Sequence, residues 1–362
     1  MNKKTIWIAI VIIVAIIIIV WALGSSQKSA DSSGQAIKIG ADLSLSGIAS
    51  QDGESIKNGL ELARTDLKAK GVNVDIVYQD DKTEPKDTVS AIQALNAEGV
   101  QAIIGPTWSY LAEAGVLVAT QLKIVTVMPA NTSEYVSAHT PYGFFTTAKV
   151  ANIVDPLAAW LSKSGKKNIA LIRNQGLWYE VIQKAVEAAA EKAGVKISYE
   201  ENIPFGAAQS GLSTIMTKVK AAKPDLIFTE IDEDEAITAF FNKTNQLGIN
   251  ADIMSVTTAL GRIMASGNIH LNTGSSLYLI APTTSSAFDV KYRAAYGTGT
   301  KPYADRAYDS LMLLVDAIQK HGDMPLNEYL ATRTDYKGFL GEYRFDANHD
   351  ISDAAWVITK LQ

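Results

Sequence analysis

Short apolar runs alternate with amphipathic stretches at helical spacing, first along residues 37–127 and again along 168–247. That alternation restricts the sheet the chain can build. Ile37–Leu43 is a β-branched run that reads as a buried strand. In Gly53–Lys70, the residues Ile56, Leu60, Ala63 and Leu67 fall on one helical face, and Gly71 closes the helix. Val72–Tyr78 follows as a strand, and Pro85–Ala97 as a helix opened by its proline. Val100–Ile104 (strand), Ser109–Gln121 (helix) and Ile124–Val127 (strand) continue the series. Strictly alternating elements predict a parallel sheet with helices on both faces.

The second half repeats the pattern. Strands are expected at Asn168–Ile172, Val195–Glu200 and Leu226–Phe228. Helices are expected at Trp178–Ala193, Leu212–Ala222 and Glu235–Leu247. Gly71 precedes Ile103 by 32 positions and Gly194 precedes Ile227 by 33, so the two halves keep nearly the same pitch. Two similar open α/β lobes are the simplest account. The later elements, Leu277–Ala281, the helix Ala304–Lys320 and strands at Gly341–Asp346 and Ala355–Lys360, complete those lobes rather than form a third. Ligands of open parallel sheets bind beyond the carboxyl ends of the strands, so two facing lobes make a cleft lined by strand-end loops.

The N-terminus is an address rather than part of the fold. Two lysines lie in residues 1–5, and Ile6–Leu23 follows with no charged residue. As a helix that segment spans ~27 Å, close to the hydrocarbon thickness of a bilayer. Lysines ahead of it place the N-terminus inside and the body outside. Residues 24–35 are a Ser/Gly-rich tether. Two readings stand open: an uncleaved transmembrane anchor, or a long signal peptide cut near Ala22-Leu23-Gly24. The first puts the body on the extracytoplasmic face of the cytoplasmic membrane, the second in the periplasm or medium.

Composition removes several function classes. With 33 basic against 38 acidic residues the net charge is −5, so there is no basic surplus for nucleic acid. The chain has no cysteine, hence no disulfide, thiolate nucleophile or cysteine-based metal site. Nucleophile-elbow, phosphate-loop, dinucleotide and zinc-protease motifs are missing, and His139, His270, His321 and His349 have no ligand partner at metal spacing. Asp346-x-Asn348-x-Asp350-x-Ser352 opens like a calcium loop but puts Ile351 at the sharp turn and Val357 at the bidentate position, so it reads as a polar turn. The acidic run Glu230–Glu235 reads as charge at a helix N-terminus. No enzyme activity, cofactor or metal is expected.

Several segments resemble, in order, the branched-chain amino-acid-binding (Leu/Ile/Val-type) family of periplasmic substrate-binding proteins. IKIGADLSLSGIASQDGESIKNGLELA (37–63) is similar to its opening strand, Ser-Gly turn and Asn-Gly within the first helix. VYQDDKTEPKDTVSAIQAL (77–95) is similar to its Asp-Asp…Pro segment, AIIGPTWSYLAEA (102–114) to its Gly-Pro-x-x-Ser signature and VTVMPANTSEY (125–135) to its Ala-x-Thr loop. FLGEYRFDANHDI (339–351) resembles the closing Phe-Asp-x-Asn-Gly-Asp, with His349 where glycine is usual. The resemblance implies the type I periplasmic-binding-protein fold: two Rossmann-like lobes, 36–147 plus 281–345 and 148–280 plus 346–362, joined by three hinge crossings.

It also implies site residues. Ser109, Ala130 and Thr132 match positions that hold the carboxylate and ammonium of an amino acid. Ser109 lies where a helix begins, which suits a carboxylate, although a plain N-cap needs the same residue. Departures bear on the ligand. Asp52 stands where an aromatic is usual, and Trp178, beside Tyr179, stands where a tyrosine covers the ligand. Thr257 replaces the carboxylate that neutralises the ammonium, leaving Asp232 or Asp52 to supply that charge. Tyr303 and Asp305 are candidate lid contacts.

The implied function is extracytoplasmic capture of a small polar metabolite, an amino acid or related carboxylate, by hinge closure, with delivery to an ABC-type membrane permease. The alternative is a membrane-tethered ligand sensor built on the same module. An extracellular hydrolase needs a nucleophile and base that the sequence does not offer.

Overall fold

The computed structural model describes residues 36–362 apart from 137–139, 205–207, 257–259, 261–263, 265–268 and 353. The N-terminal residues 1–5, the apolar segment 6–23, the tether 24–35, His139 and Thr257 lie outside the described residues. Among the described residues, no helix is long and apolar enough to cross a membrane.

The chain opens with β1 (Ile37–Leu43), α1 (Ser50–Ala69), β2 (Val74–Asp80), α2 (Pro85–Ala97), β3 (Ala102–Ile104), α3 (Ser109–Leu122), β4 (Thr126–Met128) and β5 (Gly143–Phe145). Its strands lie in the order β2-β1-β3-β4-β5, all parallel. Then come α4 (Val154–Ser164), β6 (Asn168–Asn174), α5 (Leu177–Ala193), β7 (Lys196–Ile203), α6 (Ala208–Ala222), β8 (Leu226–Glu230), α7 (Asp234–Gln246), β9 (Asp252–Ser255) and β10 (Leu277–Pro282). The last part holds α8 (Ser286–Tyr296), α9 (Ala304–Lys320), α10 (Leu326–Thr332), a hairpin of β11 (Tyr336–Gly338) and β12 (Gly341–Tyr343), and β13 (Trp356–Lys360). The second sheet runs β13-β10-β9-β8-β6-β7, with β13 antiparallel at one edge and the rest parallel.

Both sheets are covered on two faces. On β1, the consecutive positions Ile39 to Leu43 are all buried, which is why this strand reads as a continuous run instead of an alternation. Phe288, Leu311 and Leu314 from α8 and α9 join the first sheet's core with Ile56, Leu60 and Ala63 of α1. On the second sheet, Leu157, Leu161, Ile182 and Val186 of α4 and α5 pack with Leu171 and Phe228. Met216, Val219, Ile237 and Phe240 of α6 and α7 pack with Ile172 and Ile227. The chain thus passes between the two layered units after β5, after β10 and after β12.

Two glycines permit close packing. A Cβ on Gly59 would lie 2.1 Å from the Ala304 carbonyl oxygen, so α1 and α9 touch through backbone. A Cβ on Gly53 would lie 2.0 Å from the Ser44 carbonyl, pressing the start of α1 onto the loop after β1.

The strand expected at Gly341–Asp346 is shorter than its sequence suggests. The late strand ends at Tyr343 and pairs only in its own hairpin. The calcium-like segment is a tight turn, with Asp346 Oδ1 accepting from Asn348 N and Asp350 N. Among the described residues no group of three His, Cys, Asp or Glu side chains is placed to hold a metal.

Candidate functional site

Loops at the carboxyl ends of β1, β3 and β4 are tied together by specific hydrogen bonds. Thr107 Oγ1, in the loop after β3, accepts from Ser44 N in the loop after β1 at 3.0 Å. Trp108 Nε1 donates to Asp52 Oδ2 at 2.9 Å. Asn131 Nδ2, after β4, donates to the Pro106 carbonyl at 2.9 Å. The three loops carrying Asp52, Ser109, and Ala130 with Thr132 are therefore one assembly, as expected of adjacent parallel strands.

Ser109 is not the N-cap of α3. That position belongs to Trp108, in extended conformation with no side-chain cap. Ser109 begins the helix half-buried. Leu111 N and Ala112 N donate to the Trp108 carbonyl, so the Ser109 hydroxyl and the N–H groups of Ser109 and Tyr110 are those that suit a negatively charged group at the positive end of the helix dipole.

Beyond Ala130, the chain forms a short 3-10 turn, Ser133–Tyr135, preceded by Thr132 in extended conformation. Thr132 Oγ1 donates to Glu134 Oε2 at 2.9 Å. Tyr135 is buried, and its ring meets Trp178 of α5 edge to face, with centroids 5.0 Å apart. Trp178 thereby touches the loop after β4 from the second sheet's helical layer. Burial holds the Tyr135 phenol well above its ordinary pKa, and Glu134 nearby adds to this. Tyr303 precedes α9 at φ +67°, a left-handed conformation that is uncommon for a bulky residue and marks a constrained site.

The second sheet presents a matching edge. At the end of β8, Asp232 accepts from the Tyr179 hydroxyl at 2.6 Å, and its N–H donates to Asn174 Oδ1 at 3.1 Å. Buried Glu230 accepts from Ser255 Oγ at 3.0 Å and Val256 N at 2.6 Å, fixing the exit of β9 just ahead of Thr257. The acidic run is divided by the fold. Asp234 and Glu235 lie in the first turn of α7, as its dipole favours, while Glu230 and Asp232 hold strand-end loops.

Of the expected residues, Asp52, Ser109, Ala130 and Thr132 share the first assembly, Trp178 is drawn towards it through Tyr135, and Tyr303 packs against the first sheet's core. Asp232 belongs to the second edge. Asp305, expected beside Tyr303, is buried at the start of α9 in an ion pair with Arg306 at 2.9 Å. Sequence reasoning missed Trp108, Asn131, Glu134 and Tyr135. The Pro-Ala-Asn-Thr and Gly-Pro-Thr-Trp strings were visible, but their cross-loop bonds were not.

The periplasmic binding protein family model matches residues 36–361. The Leu/Ile/Val-binding protein BraC3 of Rhizobium johnstonii is 25% identical over 347 residues, 90% of this chain and 92% of that one. Other curated relatives match over 53% of their own length. Among solved structures, the branched-chain amino acid transporter substrate-binding protein LivJ of Streptococcus pneumoniae, in complex with isoleucine, has a TM-score of 0.75 at 22% identity, covering 90% of this chain and 100% of that one. A solute-binding protein of an ABC transporter from R. palustris, in complex with benzoate, has a TM-score of 0.75 at 19% identity, covering 90% and 93%. At these identities the solved structures establish a shared fold.

Proposed function

This chain belongs to the periplasmic binding protein family, and from that premise we propose that it is the extracytoplasmic substrate-binding protein of an ABC-type transporter. It captures a small polar metabolite, an amino acid or related carboxylate, and presents it to the permease. The observation that carries this reading is the clamping of the Ser109 loop to the Ala130–Thr132 loop by Asn131 and Pro106. A helix N-terminus and a hydroxyl suit a carboxylate, while a backbone carbonyl and side-chain acceptors suit an ammonium. Charge-assisted hydrogen bonds in a water-poor cleft supply the affinity, and no bond is made or broken. The lobes follow the expected bounds, 36–147 plus 281–345 and 148–280 plus 346–362, except that β10 carries the second one on through Pro282, and the three connections between them act as the hinge. Residues 6–23 hold the protein at the outer face of the membrane or direct its export.

Two fold neighbours are in complex with isoleucine and with benzoate, an amino acid and an aromatic carboxylate. Asp52 and Asp232 favour a ligand that carries a positive charge as well as a carboxylate. Thermal unfolding against amino acids, amides, aromatic carboxylates and polyamines tests this. A ligand at 100 times its Kd stabilises by about 2.7 kcal/mol, a readily measured shift. A shift from an amino acid or carboxylate is expected. Shifts only from compounds without a carboxylate overturn the ligand class.

A further inference from the structure

The Glu134 carboxylate accepts three hydrogen bonds from two different parts of the chain. Oε2 takes the Thr132 hydroxyl at 2.9 Å and the Val150 N–H at 2.6 Å, and Oε1 takes the Ala151 N–H at 2.9 Å. Thr132 belongs to the loop after β4 of the first sheet. Val150 and Ala151 open a 3-10 turn, Val150–Ile153, that runs directly into α4, whose Leu157 and Leu161 are packed in the second sheet's core. A carboxylate over the free N–H groups of such a turn is a favourable arrangement.

The neighbouring residue makes the same kind of link to another connection. Ser133 N donates to Asp350 Oδ1 at 2.9 Å, and Ser133 Oγ to Asp350 Oδ2. Lys149 Nζ pairs with Asp346 at 2.9 Å and approaches Asp350 at 3.8 Å. Residues 132–134 are thus bonded to the first connection between the sheets, at 149–151, and to the last, at 346–350.

We propose that Glu134 is a positioning residue that couples the Thr132 loop to the first inter-sheet connection, so that ligand contact and hinge position are set together. The proposal rests on the binding-protein reading above. The carboxylate also fixes the polarity of Thr132: a hydroxyl whose proton is held by Glu134 can only accept from a further partner. Glu134 needs no contact with the ligand for either effect.

The test is amide hydrogen exchange at Val150 and Ala151 in the full-length protein, for wild type, Glu134→Gln, Thr132→Val and the double variant. It is run without ligand and with L-isoleucine or benzoate as probe. Hydrogen bonds to a carboxylate are strong enough that Glu134→Gln should speed exchange there by about tenfold or more. Thr132→Val should speed exchange at the same two amides in the wild-type background and add nothing in Glu134→Gln. Glu134→Asp, which keeps the charge but is too short for all three contacts, should behave like Glu134→Gln and guards against misfolding of either variant. Equal Thr132→Val effects in both backgrounds, or unchanged exchange in Glu134→Gln and Glu134→Asp, overturn the proposal. The ligand-free arm decides it alone; failure of both probes to bind counts against those two ligands and leaves the coupling result standing.

Discussion

The Trp108 indole N–H donates to the Asp52 carboxylate at 2.9 Å, joining the start of α3 to the start of α1. Asp52 occupies the place where the family resemblance expects an aromatic, and here an aromatic from the neighbouring loop leans towards it. If Asp52 neutralises a ligand ammonium, Asp52→Asn should weaken amino-acid binding by about 10- to 100-fold, the scale of a charged hydrogen bond. It should leave the affinity for carboxylates lacking an ammonium within a few fold. Calorimetric titration of both ligand types separates these, and an equal loss for both would remove Asp52 from charge recognition.

Ser109→Ala and Thr132→Ala should each weaken ligand binding by about tenfold or more, Ser109→Ala with little change in the melting temperature of the ligand-free protein and Thr132→Ala with some loss, since its hydroxyl donates to Glu134. For Ser109 the distinction is clean because the N-cap position of α3 is Trp108, so loss of the hydroxyl removes no cap. Thermal shift with and without ligand measures both quantities. A fall in ligand-free stability comparable to the loss in binding would make Ser109 a structural residue.

Much of the fold was legible because long periodic helices and glycine closures are local signals. Pro85–Ala97 and Ala304–Lys320 have the bounds their spacing predicts, and Gly71, Gly194 and Gly248 each take the positive φ their position requires. The strands Gly143–Phe145 and Asp252–Ser255 were not foreseen, since three or four residues with both faces covered give no alternation. Helices α4 and α8 were also missed, because Pro156 and the polar start of Ser286–Tyr296 obscure their periodicity. At the site, the residue types were readable from motif positions, but which loop each one ties to depends on packing across many tens of residues. Even Glu134, a nearer case, serves a hydroxyl two residues back and two amides 16 and 17 residues on, beyond any short window.

Glycine content in helices offers a paired stability test. Gly59→Ala improves helix propensity by ~1 kcal/mol, yet its methyl group would meet the Ala304 carbonyl at 2.1 Å and the Ala307 side chain at 3.0 Å. Overpacking of this kind costs about 1–3 kcal/mol, so the variant should be less stable on balance. Gly211→Ala in α6 meets only Ile215 Cδ1 at 3.8 Å and should gain ~0.5–1 kcal/mol. Urea denaturation of the two variants checks the opposite signs, and a stabilising Gly59→Ala would mean that α1 and α9 are less tightly apposed than described.

Asp42, at the carboxyl end of β1, is fully buried with neither side-chain oxygen hydrogen-bonded. Burial, reinforced by the charges of Asp81 and Asp80, pushes its carboxyl well above the usual range. Because the folded state holds this proton more tightly than the unfolded chain does, the contribution of Asp42 to stability is most favourable below the ordinary carboxylate pKa. It falls as pH rises from there through the folded-state value. Asp42→Asn keeps the shape without the titration. Its advantage over wild type should be smallest below the ordinary carboxylate range and grow as pH rises through neutrality, because only the wild type must then give up a tightly held proton or bury a charge. Denaturation midpoints for both proteins across that range provide the check. A pH-independent difference, or an Asp42→Asn variant less stable at pH 7, would show that Asp42 is held by a favourable interaction in the folded protein.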